Sequence, residues 1–231
     1  MPQPVMKTRL VIFDLDGTLL NTISDLARST NHALACLGYP THPIEAYPMM
    51  VGNGVRKLFE RALPEQSRSS EEVERMRDYF LAHYDLHNTD CSEVYEGLHD
   101  VLRELNDAGV MMAVASNKYH EAVVKLMQYY FPDIPFEAVY GQREGIPVKP
   151  DVTIVKDIMH IVECHVGEKL HPEEVLFVGD SGVDMQTAAS ADIPACGVTW
   201  GFRPVSELKS FAPRYIVDTP EALLRVVLDD K

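Results

Sequence analysis

Leu10-Val11-Ile12-Phe13-Asp14-Leu15-Asp16-Gly17-Thr18 decides how the rest of the chain is read. Its first four residues are a β-rich apolar run without helical period, which suits a strand buried on both faces. The run stops at Asp14, so Asp14 and Asp16 stand at the carboxyl end of a strand, and Gly17 lets the chain turn sharply after them. Open parallel α/β sheets bind ligands outside the carboxyl ends of their strands.

Outward from this stretch the pattern is first helical and then alternating. Leu26, Leu34 and Leu37 recur at helix-like intervals from Ser24 to Leu37, with Gly38 and Pro40 as C-cap and breaker. Val55–Leu63 and Glu71–Tyr84 are also helical by pattern, and nothing strand-like of any length interrupts them, so an all-helical block is inserted early. After Gly97 come a helix (Leu98–Ala108), a strand (Val110–Ala115), a helix (Glu121–Tyr130), a strand near Ala138–Tyr140 and a helix (Val152–Val162). Then follow a strand (Val175–Val178), a helix after Asp184, and strands at Ala195–Val198 and Tyr215–Val217 before a last helix. Such alternation predicts an α/β fold, a Rossmann-like parallel sheet flanked by helices. Hinges are expected near Leu19–Ile23 and Asp90–Glu96.

The 231 residues, 46% of them hydrophobic, are enough for a sizeable core. Lys plus Arg number 21 against 35 for Asp plus Glu, a net charge of −14 that repels nucleic-acid phosphates and anionic lipid, so neither nucleic acid nor membrane is an expected partner. No apolar run approaches the roughly 20 residues of a membrane-spanning helix. Met1–Leu10 lacks the apolar stretch and cleavage site of a secretory signal, which predicts a cytoplasmic protein. Cys36, Cys91, Cys164 and Cys196 form no C-x-x-C pair and are expected to be reduced and mostly buried. Composition does not discriminate a monomer from a homodimer.

Four polar clusters fall after or beside the strand-like runs: Asp14 to Thr18, Ser116-Asn117-Lys118, Lys149-Pro150, and Gly179-Asp180-Ser181-Gly182-Val183-Asp184. Two carboxylates some 4 Å apart repel by about 4 kcal/mol at an effective dielectric of 20, so gathering Asp14, Asp16, Asp180 and Asp184 calls for a cation. Oxygen donors with no nearby Cys or His favour Mg²⁺ over zinc. A carboxylate held beside such an ion can attack phosphorus, a second Asp two residues on can act as acid, and Ser116, Asn117 and Lys149 are donor types that grip a phosphoryl group.

In this order the clusters resemble the four motifs of the haloacid dehalogenase superfamily of phosphohydrolases. Phe13-Asp14-Leu15-Asp16-Gly17-Thr18-Leu19 is similar to the first, Ser116-Asn117 to the second, Lys149-Pro150 to the third, and Gly179-Asp180-Ser181 with Asp184 to the fourth. The resemblance implies a catalytic core of residues 1–20 and 91–231 and an α-helical cap of residues 21–90. It implies that Asp14 is the nucleophile that forms an aspartyl phosphate, and that Asp16 protonates the leaving oxygen and then activates water. Ser116, Asn117 and Lys149 would bind the phosphoryl group. Mg²⁺ would be held by Asp14, the main-chain carbonyl of Asp16 and Asp180, with Asp184 acting through water or by orienting the other ligands. The second Asp argues against the superfamily's dehalogenases, which lack it. Asn21 departs from the acid usual at the cap hinge, though Asn can cap the following helix. Gly197-Val198-Thr199-Trp200-Gly201-Phe202-Arg203 resembles the phosphoglycolate phosphatase branch, which implies a small phosphorylated metabolite as substrate, 2-phosphoglycolate before others. A sugar-phosphate mutase, a pyrophosphatase or nucleotidase of the same superfamily, and a non-catalytic binding module are the competing readings.

Gly52-Asn53-Gly54-Val55-Arg56-Lys57 lacks the ending of a nucleotide loop and follows no strand. By resemblance it faces the active site, where Asn53 or Arg56 would read a substrate carboxylate; a plain helix N-terminal turn is the other reading. His83 with His87 and His160 with Cys164 stand four apart without a third ligand in the local sequence, and are read as solvated or packed helix residues. Met49-Met50 and Met111-Met112 read as core filler. Glu71–Arg77 reads as a solvated helix face with a Glu71–Arg75 pair.

Overall fold

A computed structural model describes residues 8–228. The part of the N-terminal reading that rests on Met1 to Lys7 falls outside them. The elements in chain order are β1 (Leu10–Phe13), β2 (Leu20–Asn21), α1 (Ile23–Cys36), α2 (Val55–Ala62), α3 (Ser70–His87), β3 (Glu93–Val94), α4 (Leu98–Asp107), β4 (Met111–Tyr119), α5 (His120–Tyr130), β5 (Ala138–Gln142), α6 (Thr153–Val166), β6 (Val175–Gly179), α7 (Gly182–Ser190), β7 (Ala195–Val198), α8 (Val205–Ser210), β8 (Tyr215–Val217) and α9 (Pro220–Leu228). Six strands form one parallel sheet in the order β5-β4-β1-β6-β7-β8.

β1 is a central strand because all four of its side chains are apolar and none is exposed. Strand side chains alternate between faces. Val11 and Phe13 therefore pack with α4, α5 and α9 on one face, while Leu10 and Ile12 pack with α6, α7 and α8 on the other. Its register sets Phe13 beside Val114 of β4 and Val178 of β6, so the residues that follow those strands emerge at one edge.

The two expected hinges run side by side, β2 and β3 pairing as an antiparallel ribbon with Leu20 opposite Val94 and Asn21 opposite Glu93. Buried Asp25 in the first turn of α1 ties them, accepting from the Ser92 N–H (2.8 Å), the Ser92 hydroxyl (2.7 Å) and the Cys91 N–H (3.0 Å). A third apolar cluster lies among α1, α2 and α3, built on Leu26, Leu34, Phe59, Met76, Phe80 and Tyr84, and reaches Ala122 of α5.

Several local expectations are corrected. β4 runs on through Ser116-Asn117-Lys118, with its pairing to β5 breaking register between Ala115 and Tyr119. Helix α7 begins before Asp184, because Ser181 and Asp184 form a capping box. Asn21 lies in the ribbon, so Thr22 rather than Asn21 precedes α1. Arg75 pairs with Glu72 at 2.8 Å, not with Glu71. Met49 is 58% exposed at the end of a short 3₁₀ turn, not core filler. Of the cysteines only Cys196 is buried; Cys36 and Cys164 sit on the solvent faces of α1 and α6. All four are free. No helix among the described residues is long and apolar enough to cross a membrane.

Candidate active site

Asp14 follows β1 directly, its N–H donating to the Val178 carbonyl at 2.9 Å. The chain then folds on itself: the N–H groups of Thr18, Leu19 and Leu20 converge on the Leu15 carbonyl. Gly17 takes φ +91°, and a Cβ there would stand 2.4 Å from Asp180 Oδ2, so only glycine admits this approach. Asp180 follows β6, and its Oδ2 accepts the Phe202 N–H at 2.6 Å. One turn into α7, Asp184 Oδ2 accepts from the Ser181 hydroxyl (2.6 Å) and N–H (3.1 Å). That leaves Asp184 Oδ1 for Lys149, whose ammonium lies 2.7 Å from it and 2.8 Å from Asp14 Oδ1.

Carboxylate oxygens of Asp14, Asp180 and Asp184 thus all lie within 4.8 Å of one another, and all three residues are buried. Lys149 supplies one compensating charge. Burial raises the Asp14 carboxyl, Lys149 pulls it down and Asp184 pushes it up again, which sets it at about 7. Burial and then the charges of Asp184 and Asp14 raise Asp180 well above the usual carboxylate range. Burial alone would lower the Lys149 ammonium, but Asp14 and Asp184 outweigh it and raise it. A buried oxygen-only cluster short of positive charge fits a hard divalent cation.

Asp16 faces the same cleft. Its Oδ1 accepts the Thr22 hydroxyl at 2.6 Å, and the Lys118 ammonium lies 2.9 and 3.0 Å from its two oxygens. Lys118 also sits over the ring of Tyr84 from α3, 4.9 Å from its centroid. Ser116 is buried at the cleft wall, its hydroxyl accepting the Lys118 N–H at 3.2 Å.

The Asn117 side chain is not a free phosphoryl donor. Its amide nitrogen donates to the carbonyls of Lys149 (3.0 Å) and Gly52 (3.1 Å), and its oxygen accepts the Lys149 N–H (2.8 Å). The amide instead places Lys149 and holds the Gly52 loop against the sheet.

The cleft encloses about 630 Å³, its open mouth included. Asp14, Asp16, Ser116, Lys118 and Asp180 line one wall, and Val51, Gly52, Leu58 and Phe80 line the other. Neither Asn53 nor Arg56 borders it. Asn53 accepts from Arg61 at 2.7 Å, and Arg56 points out to Glu74 (3.0 Å) and Glu60 (3.3 Å), because α2 turns its charged face to solvent. Besides Lys118, the cation that borders the cleft is Arg203, which donates to the Val51 carbonyl at 3.2 Å. Lys118, Thr22 and Arg203 are the residues sequence reasoning left without a role. Adjacency to Ser116-Asn117 could have marked Lys118, and Arg203 closes the quoted Gly197–Arg203 stretch.

The family profile described as haloacid dehalogenase-like hydrolase matches residues 11–198. The chain is 33% identical over 221 residues to phosphoglycolate phosphatase 1 of Pseudomonas aeruginosa, covering 94% of this chain and 78% of that protein. It is 32% identical over 225 residues to a phosphoglycolate phosphatase of Mannheimia succiniciproducens, covering 95% and 98%. The crystal structure of a predicted phosphoglycolate phosphatase from Haemophilus somnus superposes with a TM-score of 0.84 at 26% identity, covering 96% of this chain and 98% of that one. With the motifs in order along the chain, their carboxylates in one buried cluster and the profile matching most of its length, the chain belongs to the haloacid dehalogenase-like hydrolases.

Proposed function

We propose that the protein is a cytoplasmic Mg²⁺-dependent phosphomonoester hydrolase that acts through an aspartyl phosphate, with 2-phosphoglycolate as its favoured substrate. The observation that carries this reading is the convergence of Asp14, Asp180 and Asp184 on one buried point braced by Lys149. The names of the relatives support the substrate.

Asp14, Asp180 and the main-chain carbonyl of Asp16 would hold Mg²⁺, with Asp184 ligating or orienting them; when bound, the ion neutralises charge on the phosphoryl oxygens. Asp14 attacks phosphorus, forming a P–O bond to its carboxylate as the ester P–O bond breaks. Asp16 gives its proton to the departing oxygen. It then takes a proton from water, whose oxygen attacks the same phosphorus and returns Asp14 as a carboxylate with release of phosphate. Thr22 and Lys118 hold Asp16 in place for both transfers. Lys149 and the Ser116 hydroxyl balance and orient the phosphoryl oxygens. Residues 21–90 act as a cap over a core of residues 1–20 and 91–231, excluding bulk water and bulky substrates. In place of Arg56, Arg203 with Lys118 supplies positive charge for a second anionic group on the substrate.

The test is a phosphate-release panel of 2-phosphoglycolate, sugar phosphates, nucleotides and pyrophosphate, ranked by kcat/KM with Mg²⁺ and with chelator. 2-Phosphoglycolate leads the ranking and chelator abolishes release. An isomerised sugar phosphate in place of free phosphate, or turnover retained by Asp14→Asn in excess Mg²⁺, overturns the reading.

A further inference from the structure

Three consecutive residues at the end of β4 each cross to the helical insertion. The Asn117 amide donates to the Gly52 carbonyl at 3.1 Å, the Lys118 ammonium sits 4.9 Å from the centroid of the Tyr84 ring, and the Tyr119 hydroxyl donates to Asp85 Oδ1. Tyr84 and Asp85 are neighbours on α3, so a single turn of that helix meets the strand end that carries Lys118. Lys125 of α5 adds to the same contact by donating to the Asp85 carbonyl.

The Tyr84 ring is held from two further sides. It stacks on Phe80 with centroids 5.0 Å apart and 14° between planes, and it meets Tyr119 edge-on at 6.3 Å and 69°. Its remaining contact is the Lys118 ammonium, whose side chain is only 3% exposed. A cation over an aromatic face is held most firmly where water is excluded. The Tyr84 hydroxyl, by contrast, is buried without a hydrogen-bond partner among the described residues, so the ring and not the hydroxyl makes the polar contact. Lysine carries a point charge on a flexible four-carbon stem, and pairing with Asp16 alone would leave that stem free to swing. The ring on the other side of the ammonium removes this freedom.

We infer that Tyr84 is a positioning residue, which acts through Lys118 to set the Asp16 carboxyl against the departing oxygen of the substrate. The inference rests on the hydrolysis proposed above, in which the ester P–O bond breaks as Asp14 bonds to phosphorus and the proton of Asp16 goes to the leaving oxygen. It makes the placing of the acid depend on α3 lying against β4, because the ring that steadies Lys118 belongs to the helical insertion.

The test measures kcat/KM in Mg²⁺ for 2-phosphoglycolate, phenyl phosphate and p-nitrophenyl phosphate with the wild-type chain, Tyr84→Leu, Tyr84→Phe and Tyr119→Phe. Tyr84→Leu lowers kcat/KM roughly thirtyfold for 2-phosphoglycolate and phenyl phosphate, the loss expected of one desolvated cation–ring contact. For p-nitrophenyl phosphate the loss is only about threefold, because p-nitrophenolate departs without needing a proton. Tyr84→Phe, which keeps the ring, recovers most of the loss. Tyr119→Phe, which removes the hydrogen bond to Asp85 outside the buried core, shifts the ratio of the two aryl phosphates the same way by less. That ratio is independent of the fraction of each variant that is folded, so a merely structural role for Tyr84 does not move it. Equal losses for the two aryl phosphates in either Tyr84→Leu or Tyr119→Phe, or a Tyr84→Phe that falls as far as Tyr84→Leu, overturns the inference while the hydrolase reading stands. A wild-type chain that releases phosphate from none of the three substrates overturns that reading and the inference with it.

Discussion

The Lys118 ammonium straddles the carboxylate of Asp16, 2.9 Å from one oxygen and 3.0 Å from the other, across 102 residues of chain. Both side chains are largely buried. Removing one member of such a pair leaves the other uncompensated. Lys118→Met therefore lowers stability by about 3 kcal/mol and, by releasing the group that handles both protons, lowers kcat roughly a hundredfold. Urea unfolding and steady-state kinetics check the two effects separately.

Asp14, raised to about 7 in the folded chain from an ordinary 3.8, binds its proton more tightly folded than unfolded. Stability of the metal-free protein accordingly falls as pH climbs from about 4 to about 7. Asp180 is shifted the same way and adds to the fall. In chelator the urea midpoint drops across this range. Excess Mg²⁺, which binds the ionised carboxylates, reduces the drop, and Asp14→Asn makes it shallower in chelator. A midpoint that rises with pH in chelator would contradict the assignment.

Gly17 is irreplaceable on two counts, its φ of +91° and the 2.4 Å approach of Asp180 Oδ2 to where a Cβ would stand. Gly17→Ala strains the backbone and displaces Asp180. It costs more than about 1 kcal/mol in stability and weakens Mg²⁺ activation roughly tenfold, read as the Mg²⁺ concentration giving half-maximal turnover.

Arg203, not Arg56, borders the cleft. Arg203→Gln raises KM for 2-phosphoglycolate by roughly tenfold while changing KM for a phosphomonoester without a carboxylate much less, the loss expected of one charge-assisted contact. Arg56→Ala leaves the ratio of the two unchanged, since its guanidinium is already paired with Glu74 and Glu60 at the surface. Substrate kinetics on both variants decide between the two arginines.

Much of this molecule was legible in order along the chain. The apolar run Leu10–Phe13, without helical period, reports burial on both faces, which is a local property of composition, the strand at Val175–Val178 was read from the β/α alternation, and Asp14 and Asp180 inherit their places from the strands they follow. Helices α1, α2 and α3 were readable from the spacing of their apolar residues. The pairing of distant side chains was not. Lys118 meets Asp16, Arg203 rather than Arg56 borders the cleft, Asn117 clamps Lys149, and His32 stacks on His83 only because separate elements pack with particular faces inward. Periodicity says that a helix has an inward face but not which residues another helix will set against it. The sequence by itself determined the sheet, the insertion and the four clusters of chemistry; only tertiary packing decided which charges neutralise one another, because electrostatic contacts act over ångströms of space rather than along the chain.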